Sequence, residues 1–207
     1  MTAQPLADPV DCREDGLMNR DSATALLVID AQESFRQRPD EWAATANPAV
    51  IENIARLVDH ARRVGDPVVW VTHAEAASGG VFDPELGFVR VFDELDPRAD
   101  EVAVTKSTAN AFTSTDLEQR LQRLGVYRVV VCGIRTEQCC ETTARMASDL
   151  GFEVDFVTDA TTTSPIAASG GLAALSGDDI MRRTESILAA REFATVVRTA
   201  DRVGVSA

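Results

Sequence analysis

The sequence has few of the residue patterns that mark metal sites and disulfide scaffolds. It contains four cysteines and two histidines in 207 residues. His60 and His73 are isolated from any cysteine pair, and neither CxxC nor HxxxH spacing occurs. Zinc is therefore not expected. No cofactor is expected either. A bridge between the adjacent residues Cys139 and Cys140 would be strained, so reduced thiols are expected.

Basic residues and long apolar runs are also scarce. The chain has 33 acidic and 20 basic residues and a formal net charge of -13. This charge repels a phosphate backbone, and no polybasic stretch could bind anionic lipid, so neither nucleic acid nor a membrane is an expected partner. No apolar run approaches the roughly 18 residues that span a bilayer, and the first 23 residues are too polar for a signal peptide. We expect a cytoplasmic protein that binds a small molecule.

The composition is typical of one globular domain. Hydrophobic residues make up 45% of the chain and charged residues 26%, and the length is sufficient to bury a core. Residues 1–22 are predicted to be a polar N-terminal tail and residues 23–207 the domain. No internal repeat or low-complexity segment occurs.

Short apolar segments alternate with amphipathic ones. The segment 25–29 is unbroken and closed by Asp30, as in a strand that is buried on both faces. Alternating strands and helices predict parallel pairing through right-handed crossovers. The expected fold class is therefore α/β, a three-layer α/β/α sandwich around a mainly parallel, six-stranded, Rossmann-like sheet. Strands are predicted at 25–29, 67–72, 101–105, 127–132, 153–158 and 194–197, helices at 47–65, 115–124, 137–150 and 177–191, and an excursion outside the core at 73–99.

Three residues that could take part in catalysis follow predicted strands. They are Asp30, Lys106 and Cys139. Ligands bind beyond the carboxyl ends of the strands in open parallel sheets. Cys139 is predicted near a helix N-terminus, where the dipole favours a thiolate. Lys106 would add positive charge, and Asp30 could accept the thiol proton. Each residue alone also has an ordinary interpretation, as a loop aspartate, a surface lysine or an inert buried cysteine.

Three sequence blocks resemble the isochorismatase-like, or cysteine hydrolase, superfamily. They are LLVIDAQESF (26–35), VTKSTANAFTSTDL (104–117) and VVVCGIRTEQCCETTARMASDLGFEV (129–154). They occur in the order of the family's signature blocks, and the likeness extends over about residues 23–200. The resemblance implies the isochorismatase-like hydrolase fold, a homo-oligomer (dimer or tetramer) and a catalytic triad of Asp30, Lys106 and Cys139.

The resemblance also implies details of the site. A cis peptide is expected between Ile134 and Arg135, with the N–H groups of Arg135 and Cys139 forming an oxyanion hole. Arg135 could bind a substrate carboxylate, or it could face solvent or another subunit. The Asp-x-His metal motif of the family's nicotinamidases is not matched after the second strand, which again argues against a metal. The predicted substrate pocket contains Gln32, Phe35, His73, Phe112 and Arg135.

Three functions are compatible with the sequence. The first is hydrolysis of an amide or ureido C–N bond through a thioester on Cys139. The second is isochorismatase-type cleavage of a vinyl ether with release of pyruvate, which needs no thiol nucleophile, so that Cys139 argues against it. The third is a non-catalytic thiol sensor or binding module, which the pair Cys139 and Cys140 could serve. The sequence does not identify the substrate.

Overall fold

The computed structural model describes residues 24–204, and both the predicted tail and Cys12 lie outside them. A sheet of six parallel strands occupies the centre, in the order β3-β2-β1-β4-β5-β6. The predicted fold class is confirmed. The strands are β1 (Thr24–Ile29), β2 (Val68–His73), β3 (Val102–Lys106), β4 (Arg128–Ile134), β5 (Glu153–Thr162) and β6 (Thr195–Val197).

Helices cover both faces of the sheet. Helices α2 and α6 pack on one face, and α3, α4 and α5 pack on the other, which gives two hydrophobic cores. No helix within residues 24–204 is long and apolar enough to cross a membrane. The helices are α1 (Pro39–Ala43), α2 (Val50–Val64), α3 (Leu117–Arg123), α4 (Glu141–Asp149), α5 (Gly177–Ala190) and α6 (Thr199–Val203), with a π-helical turn at Thr136–Cys140 and short 3-10 turns at Glu33–Gln37, Pro84–Leu86 and Asp93–Leu95.

The central strand β1 explains why both cores form on one sheet. Leu27 and Ile29 belong to one core, and Leu26 and Val28 to the other. All four side chains are buried. Since successive side chains of a strand point to opposite faces, an uninterrupted apolar run is stable only between two covering layers.

Several segments differ from the sequence-based prediction, and the final helix α6 was not predicted at all. Strand β5 extends to Thr162, four residues beyond its predicted end at 158. The segment 31–46, to which the prediction assigned no helix or strand, contains α1 and a 3-10 turn. The excursion 73–99 was predicted to lie outside the core, and this is wrong because Phe82, Phe92 and Leu95 are buried in it. Glycines and prolines at 79, 80, 84, 87 and 97 interrupt this segment, so its apolar residues were not recognised as part of a packed element.

The strand order places the ends of β1 and β4 side by side. The chain moves outward in one direction from β1 to β3 and in the other from β4 to β6, so the order reverses between β1 and β4. Ligand sites form at such a reversal, beyond the carboxyl ends of the strands. Gly133, at the end of β4, permits the close approach, since a Cβ at this residue would lie 1.9 Å from the carbonyl oxygen of Ile29.

Candidate active site

The three predicted catalytic side chains meet at the carboxyl edge of the sheet. Asp30 follows β1, Lys106 ends β3, and Cys139 lies in the π-helical turn after β4. Lys106 Nζ is 2.7 Å from Asp30 Oδ2 and donates a hydrogen bond to Cys139 Sγ over 3.4 Å. Asp30 and Lys106 are almost completely buried, and Cys139 is 8% exposed. The arrangement brings a carboxylate, an ammonium and a thiol together.

The backbone holds Asp30 in an uncommon conformation. Its φ is +49°, in the left-handed region that only a few non-glycine residues adopt. The Asp30 N–H donates to the carbonyl of Val71 over 2.8 Å, and the Asp30 carbonyl accepts from the N–H of Gln32 over 2.8 Å. Both carboxylate oxygens are buried, and burial raises the pKa of Asp30, whereas a hydrogen bond between the side chains of Asp30 and Cys139 lowers it. The carboxylate therefore lies where it could accept the proton of the thiol.

The turn that carries Cys139 is fixed by hydrogen bonds around Arg135. The carbonyl of Arg135 accepts from the N–H groups of Gln138 and Cys140, over 3.3 and 3.1 Å. The peptide bond between Ile134 and Arg135 is cis, at the position that the family resemblance implied. The assignment of the Arg135 and Cys139 N–H groups to an oxyanion hole stays a prediction.

Burial controls the protonation of the site. Burial first, and then the nearby Asp30 carboxylate, raise the pKa of the Cys139 thiol to about 12, although Lys106 opposes both effects. Burial also raises the pKa of Asp30 above its ordinary value, against the opposing influence of Lys106. The expectation that a helix N-terminus would favour a thiolate is therefore wrong for this protein, because loss of water outweighs the positive neighbours. With a pKa of about 12, the Cys139 side chain keeps its proton at neutral pH.

A cavity of about 320 Å³ opens above the thiol. Phe35 and Phe82 form an edge-to-face pair in its wall, with ring centroids 5.3 Å apart, and His73 contacts Phe82 at 5.6 Å. A larger depression of about 610 Å³ lies at the amino ends of β4 and β5 and contains no triad residue. The cavity above the thiol is therefore the candidate substrate site. It is lined by Asp30, Phe35, Arg38, His73, Glu75, Phe82, Ala109, Arg135, Gln138 and Cys139.

Two of the predicted pocket residues are not at the cavity. Gln32 is buried, and its side-chain amide pairs with the backbone of His73, accepting from the N–H over 2.7 Å and donating to the carbonyl over 3.0 Å. It joins the ends of β1 and β2 and thereby positions His73. Phe112 lies in the hydrophobic core, where it stacks on Phe152 with centroids 6.1 Å apart. The other predicted pocket residues, Phe35, His73 and Arg135, line the cavity.

Several lining residues were missed by the sequence analysis. Arg38, Glu75, Ala109 and Gln138 come from loops and turns whose path the sequence pattern does not determine. One feature of the sequence could have indicated that Arg38 lines the cavity, namely its position three residues after the predicted pocket residue Phe35. Among residues 24–204, no three His, Cys, Asp or Glu side chains converge in a way that could hold a metal ion.

Comparisons with known proteins agree with this fold. The family model described as Isochorismatase domain matches residues 24–200. Nicotinamidase 3 of Arabidopsis thaliana is 35% identical over 153 residues, covering 67% of this chain and 73% of that protein.

Two solved structures share the fold over most of their length. An isochorismatase-family protein from Chromobacterium violaceum superposes with a TM-score of 0.80 at 28% identity, covering 88% of this chain and 92% of its own. A cysteine hydrolase from Pseudomonas syringae pv. phaseolicola has a TM-score of 0.78 at 26% identity, with coverages of 87% and 91%. Because the family model spans nearly the whole described chain and the buried triad includes a thiol at the cavity floor, this chain belongs to the isochorismatase family and is a cysteine hydrolase.

Proposed function

We propose that this protein hydrolyses the C–N bond of a small amide or ureido compound through a thioester on Cys139. The observation that carries the proposal is the position of Cys139 Sγ, which lies at the floor of a ligand-sized cavity and accepts a hydrogen bond from the Lys106 ammonium paired with Asp30. A nucleophile, a base and a cation within contact distance are the requirements of covalent acyl transfer.

Asp30 is the general base of the first step. The Cys139 thiol, with its pKa raised to about 12, keeps its proton at neutral pH. Burial raises the pKa of Asp30 and makes its carboxylate a stronger base than an exposed aspartate. Because the thiol holds its proton so firmly, we expect the transfer to Asp30 to accompany C–S bond formation. Lys106 stabilises the negative charge that moves from the carboxylate to the sulfur.

The attack converts the carbonyl carbon into a tetrahedral centre. Its oxygen becomes an anion, for which the N–H groups of Arg135 and Cys139 are the proposed donors. Collapse of this intermediate breaks the C–N bond, and Asp30 returns its proton to the leaving nitrogen. Ammonia or an amine departs, and the acyl group remains on Cys139 as a thioester.

Water completes the cycle in the second half. Asp30 accepts a proton from the water as its oxygen attacks the thioester carbon, and the C–S bond then breaks. The sulfur recovers the proton, and the product leaves as an acid. The net reaction consumes one water and one C–N bond, and the enzyme returns to its starting protonation state. The similarity to Nicotinamidase 3, named for an amide substrate, supports this reaction class.

The test compares two adjacent cysteines. Purified protein is incubated with a panel of small primary amides and ureido acids, and released ammonia is measured. We expect Cys139→Ala to lower turnover by roughly 10³-fold or more, as removal of a covalent nucleophile does. Cys140→Ala is the matched control and should retain activity, because Cys140 is a fully buried core residue. Intact mass of rapidly quenched protein should show the acyl adduct only when Cys139 is present.

Activity towards isochorismate distinguishes vinyl ether cleavage from the thioester mechanism. Cleavage of its vinyl ether releases pyruvate and needs acid catalysis but no thiol nucleophile. Pyruvate release that is equally fast in the wild type and in Cys139→Ala, without ammonia release from any member of the panel, would refute the thioester mechanism.

A further inference from the structure

Two arginines line the cavity and share a single carboxylate. Arg38 Nη1 is 3.5 Å from Glu41 Oε2, and Arg135 Nη2 contacts Glu41 Oε1. Both arginines are among the cavity-lining residues, whereas Glu41 lies in a narrower adjoining pocket. The guanidinium groups of Arg38 and Arg135 therefore border the cavity, and Glu41, the counter-ion that they share, borders the adjoining pocket.

Each guanidinium group also lies close to an aromatic ring of the cavity wall. Arg38 lies over the ring of Phe82, with 5.3 Å from its guanidinium carbon to the ring centroid. Arg135 lies over the ring of Phe35 at 5.6 Å. Each arginine thus lies near one ring of the edge-to-face pair in the cavity wall. A guanidinium carries five N–H donors, so a contact of one nitrogen with Glu41 leaves other donors for a ligand.

The other charged residues of the cavity have contacts of their own. Asp30 is matched by Lys106, and the Glu75 carboxylate lies 3.3 Å from Nε2 of His73, a contact that neutralises Glu75 only when His73 is protonated. Counting Arg38, Arg135 and Glu41 together leaves one net positive charge at this side of the cavity. Two guanidinium groups at the edge of a cavity can each donate hydrogen bonds to a planar anion such as a carboxylate.

We infer that the substrate carries a carboxylate, bound between Arg38 and Arg135, in addition to the amide or ureido group that Cys139 attacks. The inference rests on the proposed function, since it adds a second recognition group to the same substrate. The cavity, at about 320 Å³, is at the small end of the usual range of ligand pockets. A small acid with a terminal amide or ureido group is therefore the expected class, rather than a peptide or a neutral aromatic amide.

Binding of matched acid and neutral ligands tests the inference independently of turnover. The acids are malonamate, succinamate and glutaramate, and the neutral partners are the corresponding diamides, which replace the carboxylate by a carboxamide of nearly equal size. The series varies the span between amide and carboxylate. Titration calorimetry on Cys139→Ala should give, for the best acid, an affinity at least roughly tenfold above that of its diamide, as expected for hydrogen bonds to a charged group. Added salt should reduce this ratio.

Arginine variants assign the preference to the two residues. Arg135→Gln and Arg38→Gln should each lower the ratio of acid to diamide affinity several-fold. Arg56→Gln removes the same charge from α2, where Arg56 contacts only Asn53 among the described hydrogen bonds, and should leave the ratio unchanged. Equal affinities for acid and diamide at all three lengths, undetectable binding of every acid, or a preference that survives in both cavity variants would overturn the inference.

Measuring turnover by the wild-type protein distinguishes failure of the proposed hydrolysis from failure of the proposed carboxylate site. Tight binding of an acid without hydrolysis of any amide would support the carboxylate site and count against the proposed reaction. Hydrolysis of diamides and acids with equal kcat/KM, together with equal binding, would support the reaction and refute the carboxylate site.

Discussion

Lys106 illustrates how one atom can organise a site. The sequence contains 19 arginines and this single lysine. Its Nζ is within 2.7 Å of Asp30 Oδ2, donates to the carbonyl of Thr108 over 3.1 Å and donates to Cys139 Sγ over 3.4 Å. An ammonium has three N–H bonds around one compact charge, whereas a guanidinium spreads its donors over a plane. A lysine therefore suits position 106, where a single nitrogen contacts three partners.

The buried ion pair gives a prediction about stability. Lys106→Met should lower the free energy of unfolding by roughly 3–5 kcal/mol, because it leaves the Asp30 carboxylate buried without a counter-ion. The double variant Asp30→Asn, Lys106→Met removes the charge as well and should recover most of this loss. Urea unfolding of the wild type, the single variant and the double variant measures the difference. A double variant as unstable as the single one would show that the pairing is not responsible.

At the residue scale, the sequence indicated the candidate reacting groups but not their environment. Strand ends and the family resemblance together indicated Asp30, Lys106 and Cys139, and the structure brings them into contact. The protonation of Cys139 could not be predicted, because it depends on how much water the surrounding loops exclude. Phe112 was misplaced for a related reason, since an aromatic residue beside a site can equally face the core.

At the element scale, Glu141 fixes the turn that carries the nucleophile. It is the first residue of α4 and directly follows the π-helical turn. Its buried carboxylate accepts from Arg145 Nε and Nη2, on the same helix, over 3.0 and 2.8 Å. From α5, it accepts from Arg183 Nη1 over 2.5 Å and from Thr184 Oγ1 over 2.9 Å. One side chain therefore ties α4 and α5 together two residues after Cys139.

Glu141 is predicted to act as a positioning residue. Glu141→Gln keeps the size of the side chain but removes two ion pairs, and should lower the free energy of unfolding by about 2 kcal/mol. Misplacement of Cys139 should lower kcat more than it raises KM, because the carboxylate does not line the cavity. Chemical denaturation and steady-state kinetics measure the two effects.

A neighbouring arginine supplies the control for Glu141. Arg182→Gln breaks an exposed pair with Asp179 on α5 and should change stability by less than about 0.5 kcal/mol. If Glu141→Gln altered KM and left kcat unchanged, Glu141 would not be positioning the nucleophile.

The elements were predictable where their pattern was local. The strands of the sheet were found because short apolar runs end in polar residues or turns, as in β1 and β4. The short helix α1, the final helix α6 and the extension of β5 were not found. Asn47 explains part of the last difference, since its side-chain amide donates to the carbonyls of Asp159 and Thr161 and pairs with this stretch across the fold. A partner more than 100 residues away in the sequence leaves no local signal.

At the scale of the whole molecule, the described chain holds three buried free thiols near the sheet centre. They are Cys132 on β4, and Cys139 and Cys140 in the turn that follows it. Burial raises the pKa of each thiol above the ordinary value of 9.0, to about 12 for Cys139. The native protein therefore keeps three thiol protons that the unfolded chain loses at alkaline pH.

This difference predicts a fall in stability on the alkaline side. Above pH 9.0 the unfolded chain binds fewer protons than the native one, so the free energy of unfolding decreases as the pH rises toward the native pKa values. Near pH 10 the loss should be on the order of 1 kcal/mol per thiol. Urea unfolding at several pH values between neutrality and about pH 10 measures this decrease from the shift of the midpoint, provided that the slope of the free energy of unfolding against urea concentration stays constant. Cys132→Ala removes one thiol, whose Sγ donates to the carbonyl of Leu27, and should lessen the alkaline decrease relative to the wild type. An identical decrease in both proteins would mean that groups other than the buried thiols set the alkaline limit of the fold.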